Sequence, residues 1–500
     1  MPKYNKIIFA VFLSFFFCSF ISSEVVEVKI YQTTDIHSHI DSSSHETDVG
    51  GWLRIGTVIR EKQSSYGKKN LLLIDCGDTL EGAFSGVISQ GEAGGHLLDI
   101  YNYDVWVPGN HEFDFGIKKF LEISENMKCT ILNANLLYNG KKLFPGFKIF
   151  HKNGAKIAVI GVNASFLKNW FWGRRYQGIG VLKAVDAIGV ILEKIAVKKV
   201  DMIILAMHHG YLEKDLRGVN EVVDIAMRYP QIDLLLGGHT HIERPGMQIG
   251  KSWYVQAGCH GEFLGEITAM IDTEKHEVKK ISSILLPMTE DIPKDKVNSV
   301  YIQEILKKQK NMTKQVVGSC KKDISAKGLP GINSQISELL CLAIKEETKA
   351  DIIFHGSLSN HTLSGKITKK DVFLTVPYEN TIGTVLLTKN EIKKIIKEQI
   401  NYILHWSFQG IYGCNIIYNR QNNTVKMDFS KKMQEQKFFS VSFNSYVISS
   451  GGGRFPVLKS ILKNKKIKET KLDSRKILEK YISKYSPLEI KIKQWMKIEE

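Results

Sequence analysis

Five short segments place metal-ligating side chains directly after apolar runs. They are Asp35-Ile36-His37, Gly77-Asp78, Gly109-Asn110-His111-Glu112, His208-His209-Gly210 and Gly237-Gly238-His239-Thr240-His241. Two divalent cations about 4 Å apart need several oxygen and nitrogen donors and one carboxylate that gives an oxygen to each ion. Asp78 leaves its apolar run at a Gly-Asp turn and suits the bridging role. Asn110 offers a neutral carbonyl oxygen, and His208, His239 and His241 add imidazoles. Asp35 with His37, and His239 with His241, are two residues apart, so each pair can face one side of an extended segment. Alone, Asp-x-His is usually structural and a His-His pair is usually a buried or surface pair. All five together, each at the end of an apolar run, point to a two-metal phosphoester hydrolase. A donor set of nitrogen and oxygen without thiolate suits Zn, Mn, Fe or Co.

Such residues must be held by a sheet buried on both faces. Met202-Ile203-Ile204-Leu205-Ala206-Met207 is apolar at every position, the pattern of such a strand. Strands are predicted at Val26–Thr33, Asn70–Ile74, Val105–Val107, Lys156–Val162, Met202–Met207 and Leu234–Leu236. Helices are predicted at Gly51–Gln63, Gly94–Tyr101, Ile117–Ser124, Val185–Val197 and Asn220–Tyr229. In sheets of this kind functional groups gather beyond the C-terminal strand ends, where the five segments fall. The charged stretch 290–315, with Pro293 and a helix from about Lys296, reads as a linker. A second domain follows, with strands at Ile352–Phe354, Thr381–Leu387 and Phe438–Ser449 and helices at Ile332–Thr348 and Asn390–Ile400. Leu472 to Trp495 reads as a lysine-rich helical tail.

Five hundred residues exceed one ordinary core, so two domains are expected. A mean hydropathy of −0.13 excludes a polytopic membrane protein. Lys3 and Lys6 precede the apolar run Ile7 to Ile21, followed by Ser22, Ser23 and Glu24, which reads as a cleaved signal peptide over 1–23 and leaves no membrane span. Export implies a secreted, periplasmic or extracellular protein. It also leaves six cysteines, of which Cys76 reads as a packed thiol and Cys320 and Cys341 as a candidate pair. The net charge of +16 comes from lysines spread over expected surface helices such as Lys463 to Lys471, without an arginine cluster among aromatics, so no nucleic-acid partner is expected. His39, His45, His96, His151 and His260 read as ordinary histidines, with His39 the one best placed to touch the site.

The segments from Thr33 to His37, Asp75 to Gly82, Gly109 to Gly116, Met207 to Gly210 and Gly237 to His241 resemble the calcineurin-like metallophosphoesterases, and within them the secreted 5′-nucleotidase family. The resemblance is strong from about 27 to 270 and weaker from about 316 to 460. It implies an α/β fold, a metallophosphoesterase αββα sandwich over 24–289, a linker helix over 290–315, a second α/β substrate-binding domain over 316–485 and a tail over 486–500. By the same resemblance Asp35, His37, Asp78 and His241 would hold one ion. Asp78, Asn110, His208 and His239 would hold the other. His111 and Asp114 would be the catalytic dyad, with attack by a metal-bound hydroxide and charge taken up by His111.

In the second domain, Gly365 to Tyr378 followed by Glu379 and Asn380 resembles the family's nucleotide-binding stretch. Tyr378 takes the place of an aromatic that stacks on the base. Phe455, after the loop Ser450-Gly451-Gly452-Gly453-Arg454, takes the place of its partner. The alternative is that Tyr378 and Phe455 are core residues. The family's Asn-Gly-Gly-Gly-Ile-Arg segment is replaced here by Phe354 to Asn360, so its arginine is lost; Gly453 stands where Asp is usual, and Ser38 where Gly is usual. Arg454 is expected to supply the missing cation in part, with His355 contributing. The expected substrate is a small-molecule phosphoester, most simply a nucleoside 5′-monophosphate. The alternatives are nucleoside di- or triphosphates, nucleotide sugars, 2′,3′-cyclic nucleotides or a non-nucleotide phosphoester, or a secreted binding protein on an inactive enzyme fold.

Overall fold

The computed structural model describes residues 25–44, 47–213, 220–297, 299–378 and 380–499. The expected signal segment, His45 and Glu379 lie outside the described residues.

Continuous apolar runs build the first domain. Val25–Thr33, Leu71–Asp75, Val105–Trp106 and Thr130–Ile131 pair in parallel, and Phe263–Asp272 and Glu277–Pro287 extend that sheet antiparallel to six strands. A second six-stranded sheet holds Ala155–Asn163, Met202–His208, Leu234–Leu236 and Ser252–Ala257, again parallel. The two sheets face each other. Val28, Ile30, Leu72 and Ile74 of one pack with Val159, Ile204, Ala206 and Leu236 of the other. Helices Trp52–Tyr66, Glu92–Ile100 and Ile117–Glu125 cover the outside of the first sheet, and Ala184–Ala196 and Glu221–Arg228 cover the second. This is the αββα sandwich, and every strand and helix expected in this domain is present within a few residues.

The linker helix runs from Val300 to Thr313 and is not a loose connector. Ile302 and Ile305 are buried in the first domain's core, and the Tyr301 hydroxyl donates to Glu92 at 3.0 Å. The second domain is built on a five-stranded sheet in the order Gly410–Tyr412, Ile352–His355, Phe439–Asn444, Thr381–Leu387, Lys468–Asp473. That last strand corrects the expected helix at Lys463 to Lys471. The expected tail is also corrected. Its helix spans Ser474–Tyr485, and the chain then returns to pair Met496–Glu499 with Asn415–Asn419. Trp495 is buried there, with its indole N–H donating to Glu338 at 3.0 Å. Burying a tryptophan stabilises the end of the chain more than scattered lysines disfavour it. All six described cysteines are free, so Cys320 and Cys341, both buried, do not pair. Among the described residues no helix is long and apolar enough to cross a membrane.

Candidate active site

The parallel strands end side by side, so the loops beyond Thr33, Asp75, Trp106, His208 and Leu236 converge on one point. The loop backbone is not extended, as the two-residue spacing suggested. Asp35, His37, Asp78, His239 and His241 all have φ between 52° and 72°. Each such non-glycine residue costs on the order of 1–3 kcal/mol and persists only where the surroundings impose it. Left-handed turns at alternate residues bring Asp35 and His37, and likewise His239 and His241, to the same cluster. Gly109 is required for the same crowding: a Cβ there would lie 2.2 Å from Asp78 Oδ1.

All seven candidate ligands come together. His37 Nε2 lies 3.1 Å from His241 Nε2, and His241 Nε2 lies 3.3 Å from Asp35 Oδ1. His208 Nε2 lies 3.1 Å from Asp78 Oδ2 and 3.2 Å from Asn110 Oδ1. His239 packs edge-on against His208. The ligating atoms of Asp35, His37 and His241 fall within 4.8 Å of one another, as do those of Asp78, His208 and His239. His37 Nδ1 faces the Glu81 carbonyl at 2.6 Å and His208 Nδ1 faces the Cys76 carbonyl at 2.7 Å. Each therefore donates from Nδ1 and points Nε2 at the cluster, the orientation a metal-binding histidine needs.

The electrostatics agree. Burial alone would raise the Asp35 carboxyl, but the His241 hydrogen bond and charge outweigh it and hold it at about 2. Burial likewise opposes ionisation of Asp78, and the charges of His208 and His111 with the His208 hydrogen bond overcome it. Burial pushes His37 and His239 down to about 3, so both are neutral. Against burial, Asp78 draws His208 up to about 9 and Asp35 draws His241 up to about 11. Two buried carboxylates with two neutral imidazoles and two that give up a proton when a cation binds form a donor set that fits divalent cations.

His111 sits beside this cluster. Its Nδ1 meets Asp114 Oδ2 at 2.7 Å, and Asp114 Oδ1 accepts from the Tyr176 hydroxyl at 2.5 Å. Burial would lower His111, but Asp114 and Asp78 outweigh it and keep the ring protonated. Sequence reasoning missed Tyr176, which carries no spacing signal, and Glu112. Glu112 is buried, and its carboxylate accepts from the backbone N–H groups of Asp78, Thr79, Leu80 and Gly109. The signal was present, since Glu112 adjoins Asn110 and His111. His260, read as ordinary, also adjoins the cluster: its ring lies 5.8 Å from His37 and 4.2 Å from His39.

A cavity of about 880 Å³ joins this cluster to the second domain. Tyr378 lines it, half-exposed, with its ring stacked near His111 at 6.2 Å and 21°. Arg454 lines it too, bonded to the Tyr446 hydroxyl at 2.9 Å and lying 5.1 Å from the centre of the Trp406 ring. Phe455 does not line it. That ring is fully buried in the second domain's core against Tyr402, and Trp406 is an exposed aromatic on the cavity wall beside Tyr378. His355 is absent from the lining as well. It is fully buried, its Nδ1 meets the Gly356 carbonyl at 2.7 Å, and its Nε2 has no hydrogen-bond partner among the described residues.

Burial drives His355 down to about 4. At pH 7 it is neutral both folded and unfolded. As pH falls below about 6.5 only the unfolded chain takes up the proton, so by pH 5 folding loses about 2 kcal/mol on this account. His355→Leu should lack that part of the slope when denaturant midpoints are compared at pH 7 and pH 5. Equal slopes in the two proteins would refute the assignment.

Two family models match the chain: calcineurin-like phosphoesterase over residues 28–243, and 5′-nucleotidase, C-terminal domain, over residues 316–460. The chain is 26% identical to a 5′-nucleotidase-related protein of Glossina morsitans morsitans, covering 93% of each. It is 24% identical to endonuclease YhcR of Bacillus subtilis over 88% of this chain, but spans only 38% of that protein. The structure of a 5′-nucleotidase precursor from Thermus thermophilus superposes with a TM-score of 0.71 at 19% identity, covering 95% of this chain and 99% of that one, which shows the fold. The chain therefore belongs to the 5′-nucleotidase family, with a calcineurin-like phosphoesterase domain joined to a 5′-nucleotidase C-terminal domain, and is a phosphoric ester hydrolase of a kind that works with divalent metal ions.

Proposed function

We propose that this chain is an exported two-cation phosphohydrolase that releases phosphate from nucleotides, most simply nucleoside 5′-monophosphates. One observation carries the reading: a single cavity of nucleotide size reaches from the carboxylate and imidazole cluster to exposed aromatics of the second domain. The N-terminal segment 1–23 supports export.

Asp35, His37, Asp78 and His241 would hold one ion, and Asp78, Asn110, His208 and His239 the other. When bound, the ions supply Lewis-acid charge and acidify water near neutral pH. The chain's own residues do the rest. The Glu81 and Cys76 carbonyls fix the tautomers of His37 and His208. Asp114, itself fixed by Tyr176, holds His111 protonated with its Nε2 free of the Asp114 bond. His111 then meets the charge that develops on the phosphoryl and leaving-group oxygens. In the second domain Trp406, backed by Arg454, offers a stacking face, and Tyr378 offers another close to His111.

The test is phosphate release from AMP, UMP, ADP, ATP, UDP-glucose, 2′,3′-cyclic AMP and a simple aryl phosphate with added Mn or Zn, with Asp78→Asn as the inactive control. AMP and UMP should turn over best. Trp406→Ala should raise KM for AMP roughly ten- to hundredfold and change kcat much less, the size of one lost base-stacking contact. Turnover of the aryl phosphate without nucleotide preference, and an unchanged KM in Trp406→Ala, would refute the nucleotide reading while leaving the hydrolase. Silence with metals bound would favour a binding protein.

A further inference from the structure

Cys259 and His260 follow the strand Ser252–Ala257 and sit beside the cluster without lining the main cavity. The ligating atoms of His241, Cys259 and His260 all fall within 4.8 Å of one another. The backbone pins this turn to the site: the His260 N–H donates to the Asp35 carbonyl at 2.8 Å, and the His260 carbonyl accepts from the Gly51 N–H at 3.0 Å. The His39 ring packs on the other imidazole at 4.2 Å and limits its movement. None of the three is buried, so an ion can reach them from solvent. Cys259 is the one cysteine among the described residues that is not buried.

We infer that His241, Cys259 and His260 form a third cation position, selective for a borderline-soft divalent ion of the Zn class. One thiolate and two imidazoles are a donor set that zinc takes readily, with a fourth place left for water. Oxygen-preferring Mg, Ca and Mn bind such a set poorly. Cys259 would bind as the thiolate, its proton passing to solvent. The position differs from the two catalytic ones by containing sulfur, and it shares His241 with the first of them. His241 Nε2 already faces Asp35 and His37. An ion on Cys259 and His260 therefore draws on that ring and weakens its hold on the first ion without displacing it, and excess zinc should inhibit an enzyme running on manganese. The inhibition rests on the two-cation reading above; the third position itself does not.

The full chain, stripped by a chelator, would be titrated with Co(II) while near-ultraviolet absorbance and bound metal are both followed. The wild type should take up a third equivalent accompanied by a thiolate-to-cobalt charge-transfer band. Cys259→Ser should stop at two equivalents, show no band and still release phosphate. His260→Gln should bind the third equivalent at least about tenfold more weakly. Saturation of the wild type at two equivalents without a band, or a band that survives in Cys259→Ser, would overturn the inference and leave the hydrolase reading standing. Failure to bind any cobalt would overturn both.

Discussion

His111→Ala is expected to lower kcat by roughly a hundred- to a thousandfold while metal content and KM hold nearly constant. The expectation rests on what His111 touches. Its Nδ1 is committed to Asp114, its ring stands on the cavity wall, and it belongs to neither donor group proposed for the two cations. Asp114→Asn should cost less than His111→Ala, because the ring remains and loses only its preferred tautomer and part of its charge. Elemental analysis alongside steady-state kinetics decides the point. Glu81, His111 and Asp114 also lie close enough together to hold an ion. If bound metal falls in step with kcat in His111→Ala, His111 is a ligand and the dyad assignment is wrong.

The first domain was legible because parallel strands buried on both faces announce themselves as unbroken apolar runs, and chemistry at their ends follows from topology. Met202–His208 and Leu234–Leu236 were found within a residue or two on that ground. The candidate ligands were legible as residue types in order. Their left-handed backbone was not, since φ at Asp35 or His241 is imposed by tertiary contacts rather than by local sequence. The second domain was harder for a related reason. Phe455 and Trp406 are both large aromatics, and only packing decides which is buried under Tyr402 and which is left on the wall. The chain end misled because lysines recur through Leu472 to Trp495, while one buried tryptophan and a short edge strand determine where it goes.

Glu112→Ala should be among the most damaging single changes in the first domain, although Glu112 touches neither substrate nor cation in the proposed mechanism. Its two oxygens accept from four buried backbone N–H groups, at Asp78, Thr79, Leu80 and Gly109. Those groups define the loop that carries the candidate bridging ligand and the turn before Asn110. Removing the acceptor leaves each N–H with a penalty of about 1–3 kcal/mol, so a loss of about 4 kcal/mol or more is expected. That is a large part of the roughly 5–15 kcal/mol that holds a domain folded. Glu112→Gln separates the polar effect from the cavity left by a truncation, because glutamine fills nearly the same volume. It keeps one acceptor oxygen and points an NH2 donor at two N–H groups, so it should still cost about 2 kcal/mol or more. Metal affinity should fall in the same variant, since Asp78 and Asn110 lose their fixed positions. Unfolding midpoints and cobalt affinity would be measured together. A Glu112→Gln protein with wild-type stability and affinity would mean that the four N–H groups find other acceptors, and that Glu112 does not organise the site.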